Sequence, residues 1–216
     1  MTVGVLGGTG DQGRGLGRRL AAGGRRVILG SRTPERASQA AADLTTAEPG
    51  LAITGAANEA AAREGDVVIV AVPYEGHRTL LDDMAEHLAG KIVVDCVNPL
   101  GFDKRGAYPV RVEEGSAAEQ AAAALPRSRV VAAFHHVSAV HLLDLARAEV
   151  DTDVFVLGDD RAATDLVAGL ASSIPGMRGI YGGPLRNAGQ VEALTANLIS
   201  VNRRYKAHAG LRVTDV

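Results

Sequence analysis

The residues best suited to chemistry lie at the start of the chain, where Val3-Gly4-Val5-Leu6 runs into Gly7-Gly8-Thr9-Gly10-Asp11-Gln12-Gly13. A short apolar strand, then Gly8-x-Gly10-x-x-Gly13, then at once a helical pattern with Leu16 and Leu20 is the context in which backbone N–H groups cradle a pyrophosphate. In that reading Gly8 lets the chain turn sharply, Gly10 lets the backbone approach the phosphates, and Gly13 lets the helix pack close on its strand. The phosphates then meet the positive end of the helix, with Thr9, Asp11 and Gln12 in the same loop.

A second set follows about twenty positions on, where a site for NAD keeps an acidic residue for the ribose hydroxyl. Ser31-Arg32 stands there instead, and Arg36 follows one helical turn later. Arginine forks match phosphate oxygens, so the pair of signals predicts a 2′-phosphate and hence NADP(H). The plainer alternative, that Arg32 and Arg36 are solvated charges near a helix start, stays open.

The elements that must position these residues alternate along the chain. Arg26 to Gly30 is a continuous apolar strand, Thr33-Pro34-Glu35 an N-cap with proline in the first turn, and Arg36 to Glu48 a helix. Leu51 to Thr54 and Asp66 to Val72 read as strands three and four, with residues 57 to 64 a short helix between them. The fourth strand closes on Val72-Pro73-Tyr74, which should line the nucleotide beside the glycine loop. Thr79 to Leu88 is a helix, Lys91 to Asp95 a fifth strand, and Cys96 to Gly115 a long loop holding Asn98-Pro99. Ser116 to Leu125 is a helix, Arg129 to Phe134 a sixth strand, Val154 to Gly158 a seventh, and Asp160 to Ser173 its helix. Gly182-Gly183-Pro184-Leu185-Arg186-Asn187 reads as a loop before a last helix, whose Val191, Leu194, Leu198, Val201 and Tyr205 form one apolar stripe.

This is the pattern of an α/β fold, a Rossmann-type doubly wound, mostly parallel sheet with a small C-terminal helical extension. Residues 1–158 are expected to form the NADP-binding domain and 159–216 the extension that completes the pocket and makes dimer contacts. The composition excludes other classes. A net charge of −2 over 216 residues, with arginine pairs scattered, offers no one-sided basic surface for nucleic acid or an anionic membrane. No apolar run approaches a membrane span, and a cytoplasmic protein is expected. The single cysteine, Cys96, reads as a buried structural thiol. His135, His136, His141 and Asp144 do not have metal-ligand spacing, so no metal is expected.

Gly7-Gly8-Thr9-Gly10-Asp11-Gln12-Gly13, Gly30-Ser31-Arg32, Val72-Pro73-Tyr74, Phe134-His135 and Gly183-Pro184-Leu185-x-Asn187, in this order and at this length, resemble the NADPH-dependent reductases of coenzyme F420. The resemblance covers nearly the whole chain and extends to the reductase portion of membrane ferric reductases. It implies reversible hydride transfer between C4 of the nicotinamide of NADP(H) and C5 of the deazaflavin coenzyme F420; the homodimer is expected from the apolar stripe of the last helix, which could pack on its own domain or form a seam with a second subunit. It also implies that Thr9, Ser31, Arg32 and Arg36 hold the 2′-phosphate, that His135 and Val137 flank the deazaflavin, and that Asn98, Pro99 and Thr195 wall the pocket. His135 would orient the deazaflavin or relay its proton. The family often has tryptophan where Tyr74 stands, and His136 beside His135 is a departure. Arg203, Arg204 and Lys206 would meet the anionic tail of the deazaflavin or form a solvated helix face. Two other readings remain open: an NADPH-dependent reductase of a small imine or carbonyl compound, and a non-catalytic NADP(H)-sensing module.

Overall fold

A computed structural model describes residues 1–216. The strands are β1 (Thr2–Leu6), β2 (Arg26–Ser31), β3 (Ile53–Ala57), β4 (Val67–Val70), β5 (Ile92–Asp95), β6 (Leu100–Asp103), β7 (Gly106–Pro109), β8 (Arg129–Ala132), β9 (Thr152–Leu157) and β10 (Met177–Gly183). The helices are α1 (Asp11–Ala22), α2 (Pro34–Ala47), α3 (Asn58–Glu64), α4 (His77–Leu88), α5 (Ala117–Ala124), α6 (Ala139–Leu143), α7 (Arg161–Ser172) and α8 (Ala188–Tyr205).

Eight strands form one sheet in the order β10-β9-β8-β5-β4-β1-β2-β3. The apolar runs are continuous because both faces are covered. Val3, Val5, Val67, Ile69 and Val94 point into one core with Leu16 and Leu20 of α1, while Leu6, Val68, Val70 and Val93 point into the other with Leu81 and Leu88 of α4. The order reverses between β1 and β4, so the loops leaving their carboxyl ends flank the crevice where such sheets take ligands.

The far edge departs from the parallel pattern. β9 runs antiparallel to β8, and the only paired residues are Ala132 and Leu157, the last of each strand. The rest of β9 therefore extends past the carboxyl end of β8 as a wall on that side of the crevice. β10 pairs in parallel with β9, so the sheet continues beyond residue 158 through α7 before the chain leaves it for α8.

Two elements differ from the sequence expectation. The long loop after Cys96 contains an antiparallel hairpin, β6–β7, in which the Tyr108 ring covers the bare Gly101 directly opposite. Ile180-Tyr181 belongs to a full strand, β10, whose glycines disguise it; at Gly179 a Cβ would fall 2.4 Å from the Ala168 backbone, so α7 can lie close only on glycine. The sixth strand also stops short of Phe134. That residue is left-handed, with φ +65°, and its backbone turns out of the sheet.

Candidate active site

The glycine loop has the expected place and a different division of labour. The left-handed residue is Gly7, φ +73°, where a Cβ would strike Val72 and the Ala71 carbonyl at 2.5 and 2.6 Å. Gly8 is needed for close approach: its N–H donates to the Gly30 carbonyl at 2.8 Å, and a Cβ there would press on Leu29 at 3.0 Å. Gly13 packs the helix on the loop, with a Cβ position 2.8 Å from the Gly8 Cα. Gly10 caps α1, where a Cβ would meet only the Gly7 carbonyl at 3.7 Å, and no side chain caps the first N–H groups of the helix. Asp11 pairs with Arg14 at 3.2 Å, Thr9 is half-buried, and Gln12 reaches across the crevice to donate to the Phe134 carbonyl at 3.3 Å. Sequence reasoning missed Asn58, a buried side chain whose Oδ1 accepts from the Gly7 N–H at 3.4 Å and ties α3 to the loop.

At the end of β2, Ser31 is buried and its Oγ accepts from the Thr33 N–H at 3.1 Å. Thr33 was expected to cap α2 with its own side chain, but that hydroxyl makes no capping bond. Arg32 and Arg36 are both exposed, and neither joins any of the ion pairs in the chain. Two guanidiniums without ion-pair partners thus stand beside the start of α2. Val72 fills the space next to Gly7, and Pro73 and Tyr74 follow it where the chain leaves β4 for α4.

The other half of the crevice is wired by side chains from three distant segments. Asn98 Nδ2 donates to the His135 carbonyl at 2.7 Å, and Thr195 Oγ1 lies 3.2 Å from that carbonyl and 3.4 Å from Asn98 Oδ1. The expected pocket residues Asn98, His135 and Thr195 are therefore brought into direct contact, with Pro99 buried alongside. The turn that presents them is held by the Phe134 carbonyl, which accepts from Gln12 and from the Val137 N–H at 3.3 Å. A left-handed phenylalanine costs about 1–2 kcal/mol, and here it redirects the chain so that His135 leaves the sheet.

The two neighbouring histidines have different environments. His136 Nε2 lies 2.6 Å from the Asp153 carbonyl and its ring meets Phe155 edge-on, so it is tied to β9. His135 is 3% exposed; the Val97 backbone lies beside its ring, but neither ring nitrogen makes a well-aligned hydrogen bond. Burial pushes its pKa down to about 4, which leaves a neutral imidazole with one donor and one acceptor. Buried polar atoms are nearly always satisfied, so a ring with no well-aligned partner for either nitrogen stands out in this interior. Cys96 is the buried thiol expected, donating to the Val70 carbonyl at 3.0 Å, with burial holding its pKa far above the ordinary range.

Behind this pocket lies a buried charge network that the sequence did not reveal. His77 Nε2 sits 2.6 Å from Asp95 Oδ2, and its Nδ1 is 3.1 Å from Gln120 Oε1. Burial opposes its charge, but two acceptors outweigh that and raise its pKa. Asp95 Oδ1 in turn accepts from the Val97 N–H at 3.0 Å, fixing the strand end one residue before Asn98. Glu192, on α8 one turn from Thr195, accepts from the N–H groups of Ala117 and Ala118 at 2.9 and 3.1 Å. Burial raises its pKa to about 7 despite those bonds. His77 and Asp95 stand 18 residues apart, on a helix start and a strand end, and no spacing rule connects them.

The chain can be compared with known proteins on this basis. A family model described as NADP oxidoreductase, coenzyme F420-dependent, matches residues 2–99. The chain is 41% identical to the F420-dependent NADP reductase of Methanothermobacter marburgensis, over 100% of this chain and 99% of the relative. It is 41% identical to the enzyme of the same name from Methanocaldococcus jannaschii, again over 100% and 99%. The crystal structure of a candidate F420-dependent NADP reductase from an Arthrobacter species superposes with a TM-score of 0.83 at 30% identity, covering 99% of each chain. The chain belongs to the family of coenzyme F420-dependent NADP oxidoreductases.

Proposed function

We propose that this member of the family passes a hydride reversibly between NADP(H) and coenzyme F420, with the glycine loop as the seat of the dinucleotide and the Asn98–His135–Thr195 cluster as the seat of the deazaflavin. The observation that carries the reading is His135: a buried, neutral imidazole without a well-aligned hydrogen bond, on a turn bonded to the glycine loop through Gln12 and to Asn98 and Thr195 through its carbonyl. The two rings supply the redox chemistry when bound.

The chain's own part is to bind, orient and exclude water. Backbone N–H groups at Gly8 to Gly13 take the pyrophosphate, while Ser31, Arg32 and Arg36 take the 2′-phosphate. Val72, Pro73 and Tyr74 border the ribose, and Pro99 and Val137 wall the ring pocket, so that reacting atoms can approach to roughly 3–3.5 Å. With a pKa of about 4, His135 stays uncharged near neutrality and orients the deazaflavin through a neutral hydrogen bond. A proton it relays must therefore move on rather than rest there.

Residues 1–158 serve as the NADP-binding unit. Residues 159–216 return α7 and β10 to the sheet, and their last helix completes the second pocket through Thr195. On α8 the apolar stripe is buried at Val191 and Leu198 but runs out to Val201 and Tyr205, the latter 73% exposed. That exposed end, with Phe102 of the hairpin 69% exposed, supports a homodimer. No helix is long and apolar enough to cross a membrane, and we place the enzyme in the cytoplasm.

The test is to mix the pure protein with NADPH and oxidised F420 and follow the visible absorbance of the deazaflavin. Its loss supports the assignment; turnover with imines or carbonyls alone, or tight NADPH binding without any turnover, would refute it. His135→Ala should slow F420 turnover at least tenfold while sparing NADPH affinity, and a variant with wild-type kinetics makes His135 structural.

A further inference from the structure

The strand that leads into the ring pocket ends on a charged residue. Asp95, the last residue of β5, is fully buried, and its two oxygens have separate partners: Oδ2 lies 2.6 Å from His77 Nε2, and Oδ1 accepts from the Val97 N–H at 3.0 Å. His77 is equally buried at the start of α4, with Nδ1 3.1 Å from Gln120 Oε1. The Gln120 amide is oriented by its other end, since Nε2 donates to Glu114 Oε2 at 3.1 Å. Its oxygen therefore faces the histidine. Both neighbours of the ring are acceptors, so both ring nitrogens carry hydrogen and His77 is a cation. Burial opposes that charge, yet the two acceptors raise its pKa.

A buried ion pair contributes little to stability, because desolvation offsets the attraction and apolar side chains of similar volume often do as well. The geometry gives this one another use. Val97, whose N–H Asp95 holds, has its backbone beside the His135 ring, and the next residue, Asn98, donates to the His135 carbonyl at 2.7 Å. One short arm of chain thus meets His135 from two sides. The sheet itself reaches only to Cys96, whose N–H meets the Val70 carbonyl at a long 3.3 Å, so the Val97 N–H is held by a side chain rather than by a strand. Cys96, His135 and Glu192 are the other titratable groups that feel the Asp95 charge, and none of them bonds to its oxygens. At the outer end of the network Arg78 lies 3.5 Å from Glu114.

We propose that Asp95, oriented by His77, is a positioning residue for the reaction: it locks the Val97-Asn98 arm so that His135 is set for the deazaflavin before the coenzyme arrives. The proposal rests on the ring pocket being the deazaflavin seat. A reacting geometry held in advance by a supporting layer of side chains is lost when that layer loosens, even where the fold survives. No side-chain hydrogen bond of Asp95 or His77 reaches the glycine loop, so the loss falls on F420 and spares NADPH.

The experiment compares the intact wild type with Asp95→Asn, Asp95→Ala and a double variant, His77→Leu with Asp95→Val. With NADPH and oxidised F420, Asp95→Ala and the double variant should lower kcat/KM for F420 about tenfold or more, while the KM for NADPH stays within about twofold. Asp95→Asn should stay within about threefold of wild type, because its amide oxygen still accepts from the Val97 N–H. In the ligand-free protein, exchange of the Val97 amide followed by NMR should be about tenfold faster in the double variant than in wild type and unchanged in Asp95→Asn. Asp95→Ala leaves a buried cation unpaired and is liable to misfold. The double variant replaces the pair by apolar groups, and its denaturation midpoint should match or exceed that of wild type. A double variant that fails to fold, or one with wild-type exchange and F420 kinetics, overturns the positioning role and leaves the ring pocket standing. Equal losses for both substrates, or Asp95→Asn as damaged as Asp95→Ala, do the same. A wild type that turns over no F420 overturns the pocket assignment and this role together.

Discussion

The two halves of the crevice are built on different principles. The glycine loop is a main-chain device: its turn, its contact with β2 and its packing on α1 depend on what Gly7, Gly8 and Gly13 lack. The pocket around His135 is a side-chain device, in which Asn98, Thr195 and Gln12 bond backbone carbonyls of a turn held out of the sheet. The first half is open and finished by free arginines. The second is buried and supported by titrating groups. A main-chain cradle recognises any molecule with phosphates, and a side-chain pocket is where selectivity for one ring can be set.

This contrast can be broken most forcefully at Glu192. Its folded pKa of about 7 lies above the ordinary carboxyl value of 4.5, so the folded state binds the proton more tightly than the unfolded chain. The stability it contributes is fully present below pH 4.5 and is lost as pH rises through 7, a loss on the order of 3 kcal/mol. Denaturant unfolding of wild type and Glu192→Gln between pH 4.5 and 7.5 should show wild type losing stability relative to the variant as pH increases. A constant difference would mean that Glu192 does not gain its proton on folding.

The next largest effect sharpens the phosphate end of the first half. Arg32→Ala should raise the KM for NADPH about 30-fold, or roughly 2 kcal/mol for a charge-assisted contact, and move that for NADH less than threefold. Equal effects on both would show that Arg32 does not touch the 2′-phosphate. The smallest effect is expected of Thr195→Val, which removes one hydroxyl while Asn98 keeps its bond to the His135 carbonyl. About 1 kcal/mol, or fivefold in kcat/KM for F420 with unchanged NADPH affinity, is the expected cost. A variant impaired in NADPH binding instead would show that the two halves are not separable.

How much of this could be read from the sequence follows the same division. The placement of the glycine loop and of Ser31-Arg32 was legible because it follows local spacing after a strand, although the left-handed position fell on Gly7 rather than Gly8. Strand β10 was hidden because Gly179 and Gly182 serve packing against other elements, and glycine reads as a breaker when its neighbours in space are unknown. The hairpin was hidden for a related reason, since Gly101 is compensated only by Tyr108 on the opposite strand. The family resemblance supplied Asn98, His135 and Thr195, and no periodicity would have linked them. Nothing pointed to the His77–Asp95 pair or to Glu192, because a buried ion pair assembled by the fold leaves no trace in either segment alone.

The separations within the second pocket also bear on how the molecule assembles. Asn98, His135 and Thr195 are joined across 37, 60 and 97 residues, whereas β1, the glycine loop, α1 and β2 fit within the first 31. Distant contacts pay their loop-closure entropy before any reward arrives, so they form late. During refolding, the glycine loop can take shape while the Asn98–His135–Thr195 cluster is still unmade, so on the proposed assignment the chain regains a nucleotide grip before it can hold a second ring.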